Sequence, residues 1–164
     1  MRVMFIGPPG AGKGTQAETV SKEKKIPHIS SGNLLREAVE TGTETGKKAK
    51  YYIEKGLLVP DNLVVDIIKD RILKKDCESG YILDGFPRTL AQAKILDEML
   101  KTLGKKLDVI FYFAVSKENV VLRLSGRRIC SGCGANYHIA FVPSLKDGIC
   151  DKCGGKLNQR SDDK

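Results

Sequence analysis

Residues 7–15 read Gly-Pro-Pro-Gly-Ala-Gly-Lys-Gly-Thr and follow directly on the apolar run Val3-Met4-Phe5-Ile6. A short strand that ends in a glycine-rich turn and opens onto a helix shapes a backbone to hold a polyphosphate. Gly7, Gly10, Gly12 and Gly14 allow tight turning and let main-chain N–H groups approach phosphate oxygens with no Cβ in the way. A helix from about Lys13 adds its positive N-terminal end, and the Lys13 ammonium adds a point charge. The run nearly fits G-x-x-x-x-G-K-[ST], but Gly14 follows the lysine and the hydroxyl comes one place later, at Thr15. The plain alternative is a strand–helix turn without a ligand.

The rest of the chain alternates strand and helix signals, which predicts an α/β fold: a P-loop-type parallel sheet with flanking helices. Helical patterns are expected to about Lys24 and over 31–41, 44–55, 61–75 and 89–102. Asp61 follows Pro60 as an N-cap candidate. Extended segments are expected at Pro27-His28-Ile29, at Tyr81-Ile82-Leu83-Asp84 and over 108–115. The last contains an unbroken apolar run from Val109 to Val115 and reads as a strand buried on both faces. Ser116 then caps a helix expected to reach about Arg127. From Arg128 onward glycine, cysteine and turn formers dominate, which marks a separate small module.

At 164 residues the chain has the length of one domain with a small insertion. No stretch approaches the ~20 apolar residues of a membrane span, and Met1-Arg2 leads into a strand rather than a signal peptide, so a cytoplasmic location without membrane contact is expected. The net charge of +8 calls for an anionic partner. With 6% aromatic residues and no Trp, phosphorylated small molecules account for it better than nucleic acid.

Four of the five cysteines form Cys130-x2-Cys133 and Cys150-x2-Cys153, each pair followed by a glycine. Two such knuckles can meet around a tetrahedral Zn²⁺ in a closed, structural site. Two disulfides are the alternative, which a cytosolic chain disfavours. A zinc ribbon can also bind nucleic acid, and the ligands alone leave that open; Arg123, Arg127 and Arg160 lie on either side of the module. Cys77 stands alone as a spectator.

Asp84-Gly85-Phe86-Pro87-Arg88-Thr89 and Ser31-Gly32-Asn33-Leu34-Leu35-Arg36 join the variant phosphate loop. Together these motifs resemble the nucleoside monophosphate kinases, the adenylate kinase family most closely, and the four cysteines resemble the zinc-bearing lid of its bacterial form. The resemblance implies Mg²⁺-dependent phosphoryl transfer from ATP to AMP, with Gly10, Ala11, Gly12, Lys13, Gly14 and Thr15 on the ATP phosphates. It implies that Asp84 holds the Mg²⁺ hydration shell. Arg123 would stack on the ATP adenine, and Arg127 and Arg160 would reach the transferring phosphate. On the AMP side it implies Ser31, Arg36, Gly85 and Arg88 at the monophosphate. Gln92 would read the adenine edge, with the backbone from Leu57 to Val59 against that base. Asp162 and Asp163 match an acidic pair at the lid hinge, and the Phe86-Pro87 bond is expected to be cis.

Residues 1–127 would form the core with a monophosphate flap over 30–60, residues 128–159 the lid, and 160–164 the start of a further core helix. A monomer without a stable nucleic-acid partner is implied. The chemistry needs no general base, because the acceptor oxygen is already anionic, so His28 and His138 are expected to serve loop or surface packing. Ser31 stands where the family more often has threonine, and Asn33 where aspartate is common. The family pattern continues past Lys164 with a helix, a strand and a final helix carrying one more arginine. The chain is therefore expected to be a fragment or incomplete record, which puts the activity of the 164-residue form in question. Two other readings stand beside this one. The first is the same transfer to UMP, CMP or GMP, against which Ser31 and Thr89 favour adenine over pyrimidine acceptors. The second is a non-enzymatic P-loop and zinc-ribbon module for nucleic acid.

Overall fold

The computed structural model describes residues 1–160 and 163. Ser161 and Asp162, where a further helix and half of the acidic pair were expected, lie outside the described residues. The chain forms two compact units, Met1–Pro8 with Gly12–Ala114, and Pro9–Ala11 with Val115–Lys164.

The first unit is built on a parallel sheet of β1 (Arg2–Ile6), β2 (His28–Ser30), β3 (Tyr81–Asp84) and β4 (Val109–Tyr112), in the order β2-β3-β1-β4. The helices are α1 (Lys13–Lys24), α2 (Ser31–Glu40), α3 (Glu44–Glu54), α4 (Asp61–Ile72) and α5 (Leu90–Thr102). Period-two alternation sorts the strand side chains onto two faces. Val3, Phe5 and Ile82 pack with Ala17 of α1 and with Ile26. Met4, Ile29, Tyr81 and Leu83 pack with Leu35, Ala49, Val65, Ile68, Leu96 and Leu100 from α2–α5. Helices thus cover both sheet faces, and β3 is buried at every position.

The register aligns Ser30 with Asp84 and Asp84 with Phe5. Ser31, Gly85 and the loop after Ile6 therefore leave the sheet at the carboxyl ends of neighbouring strands, where open parallel sheets place their ligands. Gly46 permits the tight turn from α2 into α3, since a Cβ there would fall 1.9 Å from the Ala38 carbonyl oxygen.

Three expectations give way. β4 covers only Val109–Tyr112 of the expected 108–115, and it is an edge strand among the described residues, with Tyr112 73% exposed. Asp61 is not an N-cap. Pro60 holds that position without a side-chain bond, α4 ends at Ile72, and the Asp61 carboxylate turns to other donors.

The third correction lies in the second unit, where α6 (Lys117–Ser125) stops at Gly126 and Arg127 opens a strand. Ser116 caps this helix as expected, accepting from the Asn119 N–H. The cysteine segment is a small antiparallel sheet of β5 (Arg127–Cys130), β6 (Asn136–His138) and β7 (Leu157–Asn158), ordered β6-β5-β7.

Candidate functional site

The loop after β1 takes left-handed backbone at Gly10 (φ 73°) and Gly12 (φ 94°), and Gly12 is the N-cap of α1. The first turn of α1 carries no acidic residue of its own. Lys13 folds back over the loop, its Nζ donating to the carbonyls of Gly7 (2.9 Å) and Pro8 (2.8 Å). Gly14 brings α1 close to the end of β3, where a Cβ would sit 3.6 Å from Asp84 Oδ2. Asp84 is buried, and its Oδ2 lies 3.1 Å from His28 Nε2. His28 therefore does more than pack: its ring nitrogen engages the buried carboxylate at Oδ2.

Beside Asp84, Gly85 (φ 74°) starts a second cradle. Its carbonyl accepts from Ser31 Oγ (2.6 Å) and from Arg88 Nε (2.8 Å). A Cβ on Gly85 would lie 3.1 Å from Ser31 Oγ and 3.2 Å from Arg88 Nη2, so glycine leaves the space between these donors open. Arg36 lies against Gly32, and its Nη2 donates to Asn33 Oδ1 at 2.6 Å. Asn33 thus orients an arginine, a role its neutral amide performs without drawing on a carboxylate. The Phe86-Pro87 bond is cis.

Gln92 is 2% exposed and both ends of its amide are engaged. Oε1 accepts from the Arg88 N–H at 2.7 Å, and Nε2 donates to Asp61 Oδ1 at 2.7 Å. Thr89 Oγ1 caps α5 by accepting from the Gln92 N–H and donates in turn to Asp61 Oδ2 at 2.9 Å. Leu57 is exposed, whereas Val59 is buried in the α2–α5 cluster.

In the second unit, Arg123 Nη1 makes long contacts to the carbonyls of Gly10 (3.5 Å) and Ala11 (3.4 Å). Arg127 forks onto Asp163, with Nε 2.7 Å from Oδ2 and Nη2 bonded to Oδ1. Such a bidentate pair fixes the guanidinium plane. Arg160 follows β7, and its carbonyl accepts from the Asp163 N–H. His138 packs as expected, stacked on Phe141 with its Nε2 3.2 Å from the Leu122 carbonyl oxygen.

The four cysteine sulfurs all lie within 4.8 Å of one another. Tetrahedral zinc with bonds of about 2.3 Å would set sulfurs about 3.8 Å apart, so a modest adjustment seats the ion. The two knuckles repeat each other. Gly134 and Gly154 are both left-handed, and each donates its N–H to the carbonyl of the first cysteine of its pair, Cys130 or Cys150. The Tyr137 hydroxyl accepts from the Asp151 N–H at 2.9 Å, which turns its proton toward Cys150 Sγ at 3.4 Å.

That bond, first among several, lowers the Cys150 thiol to about 6. The backbone N–H of Cys133 lowers Cys130. The Gly155 N–H acts the same way on Cys153, but hydrogen bonds with Cys130 and Cys133 outweigh it and push Cys153 up to about 12. Four adjacent thiols cannot all ionise without a cation among them, and the donor set fits a soft dication.

His28, Asn33, Asp61 and Tyr137 contact candidate site residues in ways the motifs do not foretell. Of these, the capping pattern points to Asp61, but only as a cap of α4. The family model described as "Adenylate kinase" matches residues 5–163. The chain is 59% identical over 164 residues to an adenylate kinase of Archaeoglobus fulgidus, and 57% identical to one of Caldicellulosiruptor bescii. In both cases the match covers 100% of this chain and 76% of the relative. An adenylate kinase of Thermosipho africanus is 55% identical, with 100% of this chain and 77% of the relative covered. Matches of that extent across both cradles and the cysteine knuckles place the chain in the adenylate kinase family.

Proposed function

We propose that the protein catalyses reversible transfer of the γ-phosphoryl group of ATP to AMP, giving two ADP. The observation that carries this reading is the meeting of two anion cradles at adjacent residues, Asp84 and Gly85. Asp84 lies beside the first turn of α1 and the loop that Lys13 crosses, whereas Gly85 joins Ser31 and Arg88. A donor phosphate on the first and an acceptor phosphate on the second would be held as neighbours. Holding two polyanions together is most of the task, since the transition state needs positioning and charge stabilisation rather than a nucleophile.

An oxygen of the AMP phosphate attacks the γ-phosphorus, the bond to the β,γ-bridging oxygen breaks, and ADP leaves with that electron pair. No proton must be removed, because the attacking oxygen is already ionised. Gly10 to Thr15 and Lys13 hold the donor phosphates, while Arg36, Arg88 and Ser31 hold the acceptor. Arg123, Arg127 and Arg160 are the donor-side arginines of the second unit. The Gln92 amide keeps one N–H and one acceptor lone pair for the adenine edge, beside the Leu57–Val59 backbone.

Mg²⁺ bound with ATP would supply charge neutralisation across the β- and γ-phosphates, with Asp84 on its hydration shell. Zn²⁺ on Cys130, Cys133, Cys150 and Cys153 would serve structure alone. Residues 128–159 act as a lid that excludes water, so the phosphoryl group reaches AMP rather than hydrolysis. Residues 30–60 act as the monophosphate flap. We take the working form to be a cytoplasmic monomer that binds no nucleic acid stably; no described helix is long and apolar enough to cross a membrane.

Steady-state assays with ATP and AMP, CMP, UMP or GMP test the reading. AMP is expected to give the highest kcat/KM, and a better acceptor among the other three would overturn the choice of AMP. Salt-sensitive oligonucleotide binding without phosphoryl transfer would favour the nucleic-acid module instead.

A further inference from the structure

Gln92, Thr89 and Asp61 close a ring of hydrogen bonds in which both paths of donation start at Gln92 and end on the Asp61 carboxylate. The Gln92 N–H donates to Thr89 Oγ1, so the threonine's single proton is left for Asp61 Oδ2. Asp61 Oδ1 accepts from Gln92 Nε2, and the far end of the same amide accepts from the Arg88 N–H. A rotated amide would set Oε1 against the carboxylate and the NH₂ group against an N–H, two repulsive contacts at once. The chemistry of the neighbours therefore fixes which end is which. At 2% exposure the side chain cannot swing away.

We propose that Asp61 is a positioning residue that sets the acceptor-base preference by locking the Gln92 amide. This rests on the reading above that Gln92 faces the acceptor base. A locked amide offers its remaining N–H and its remaining lone pair in a fixed order. The adenine edge presents an acceptor at N1 and a donor at N6; the guanine edge presents a donor at N1 and an acceptor at O6. An amide free to rotate can match either edge, whereas a locked one matches one and sets like against like with the other. Nothing in the Gln92 side chain itself makes this choice, because its two ends are nearly the same shape. Asp61 makes it, together with the Arg88 N–H at the other end, from 31 residues away in sequence and as a carboxylate that can only accept.

The test compares wild type with Asp61→Asn, whose own amide can meet either end of Gln92, using AMP and GMP as acceptors at saturating ATP. The ratio of kcat/KM for AMP to that for GMP is expected to fall about tenfold or more, through a raised KM for AMP, with the KM for ATP unchanged. Asp61→Glu, which keeps an acceptor-only group, is expected to recover part of the ratio. A purely structural role would lower thermal stability and leave the ratio alone. A ratio unchanged within about twofold in Asp61→Asn, with wild type still preferring AMP, would overturn the proposal.

Wild type failing to phosphorylate AMP at all would instead remove the functional reading beneath it. Should Asp61→Asn not fold, NMR of the wild-type Gln92 side-chain amide decides. Two resolved Nε2 protons, with slowed solvent exchange and contacts to Asp61, are expected. Exchange at the rate of a free glutamine would overturn the lock.

Discussion

In the first unit β3 lies buried at every position between two apolar clusters. Across residues 127–160, by contrast, the buried apolar cluster is Cys130, Tyr137, Cys150 and Leu157, two of them thiols. Ile139, Phe141, Val142 and Leu145 in the same segment are exposed. A sheet with helices on both faces gains its stability from burial, and its loops can then hold strained or charged groups. A segment this small cannot build such a core and needs a staple. The proposed anion cradles accordingly sit on the carboxyl ends of that sheet. The cysteine segment stakes its order on one proposed ion.

Removing that ion should break the comparison most sharply. Chelation, or Cys150→Ser, is expected to remove amide-exchange protection across 127–158 while β1–β3 stay protected. The energy at stake is on the order of 10 kcal/mol, the scale of structural zinc in small domains. Loss of protection in both regions together would show that the cysteine segment supports the sheet as well.

Truncating the first unit's core probes the other side. Ile82→Ala, at a fully buried position in β3, should cost ~3 kcal/mol in denaturant unfolding. Zinc affinity should stay unchanged. A parallel drop in affinity would mean that the two regions are not energetically separate.

The pH dependence of zinc binding sharpens the account of the thiols. Cys153, pushed up to about 12, keeps its proton at every ordinary pH and must release it to bind the ion. Affinity should therefore fall about tenfold per pH unit between pH 8 and 7 for this proton alone. Cys150, at about 6, adds a further proton as pH falls through that value, so the slope should steepen there. Competition titrations across pH 5–8 would measure it, and a flat profile would contradict the thiol assignment.

The smallest effect expected is that of Tyr137→Phe, which removes the hydroxyl between Asp151 and Cys150. It should weaken zinc by about tenfold, as loss of an outer-shell partner does. Unfolding of the first unit should not change.

The parts legible in the sequence were those whose meaning is local. The phosphate loop, the cysteine pairs and the arginine motifs each carry their pattern within a few residues, and the helices that follow a capping residue appeared close to their expected bounds. What escaped depends on strand register and long separations. His28 meets Asp84 because β2 and β3 run parallel in one register, 56 residues apart. The sequence suggests Asp61 as a cap because Asp is a favoured capping residue. Its carboxylate instead serves Thr89 and Gln92 on α5, a choice made by packing. The run before Arg127 extends the expected helix to it, but Gly126 ends α6 and strand pairing takes Arg127. The apolar run from Val109 implied burial that the described residues do not provide.

The central claim is that two phosphate cradles meeting at Asp84 and Gly85 pass one phosphoryl group directly between nucleotides. Incubation with ATP labelled at the γ-phosphate and unlabelled AMP, followed by separation of the products, tests it most directly. The account predicts the label in the β-phosphate of ADP, in amounts that depend on AMP, with little free phosphate. Label released as inorganic phosphate at a rate indifferent to AMP would contradict it.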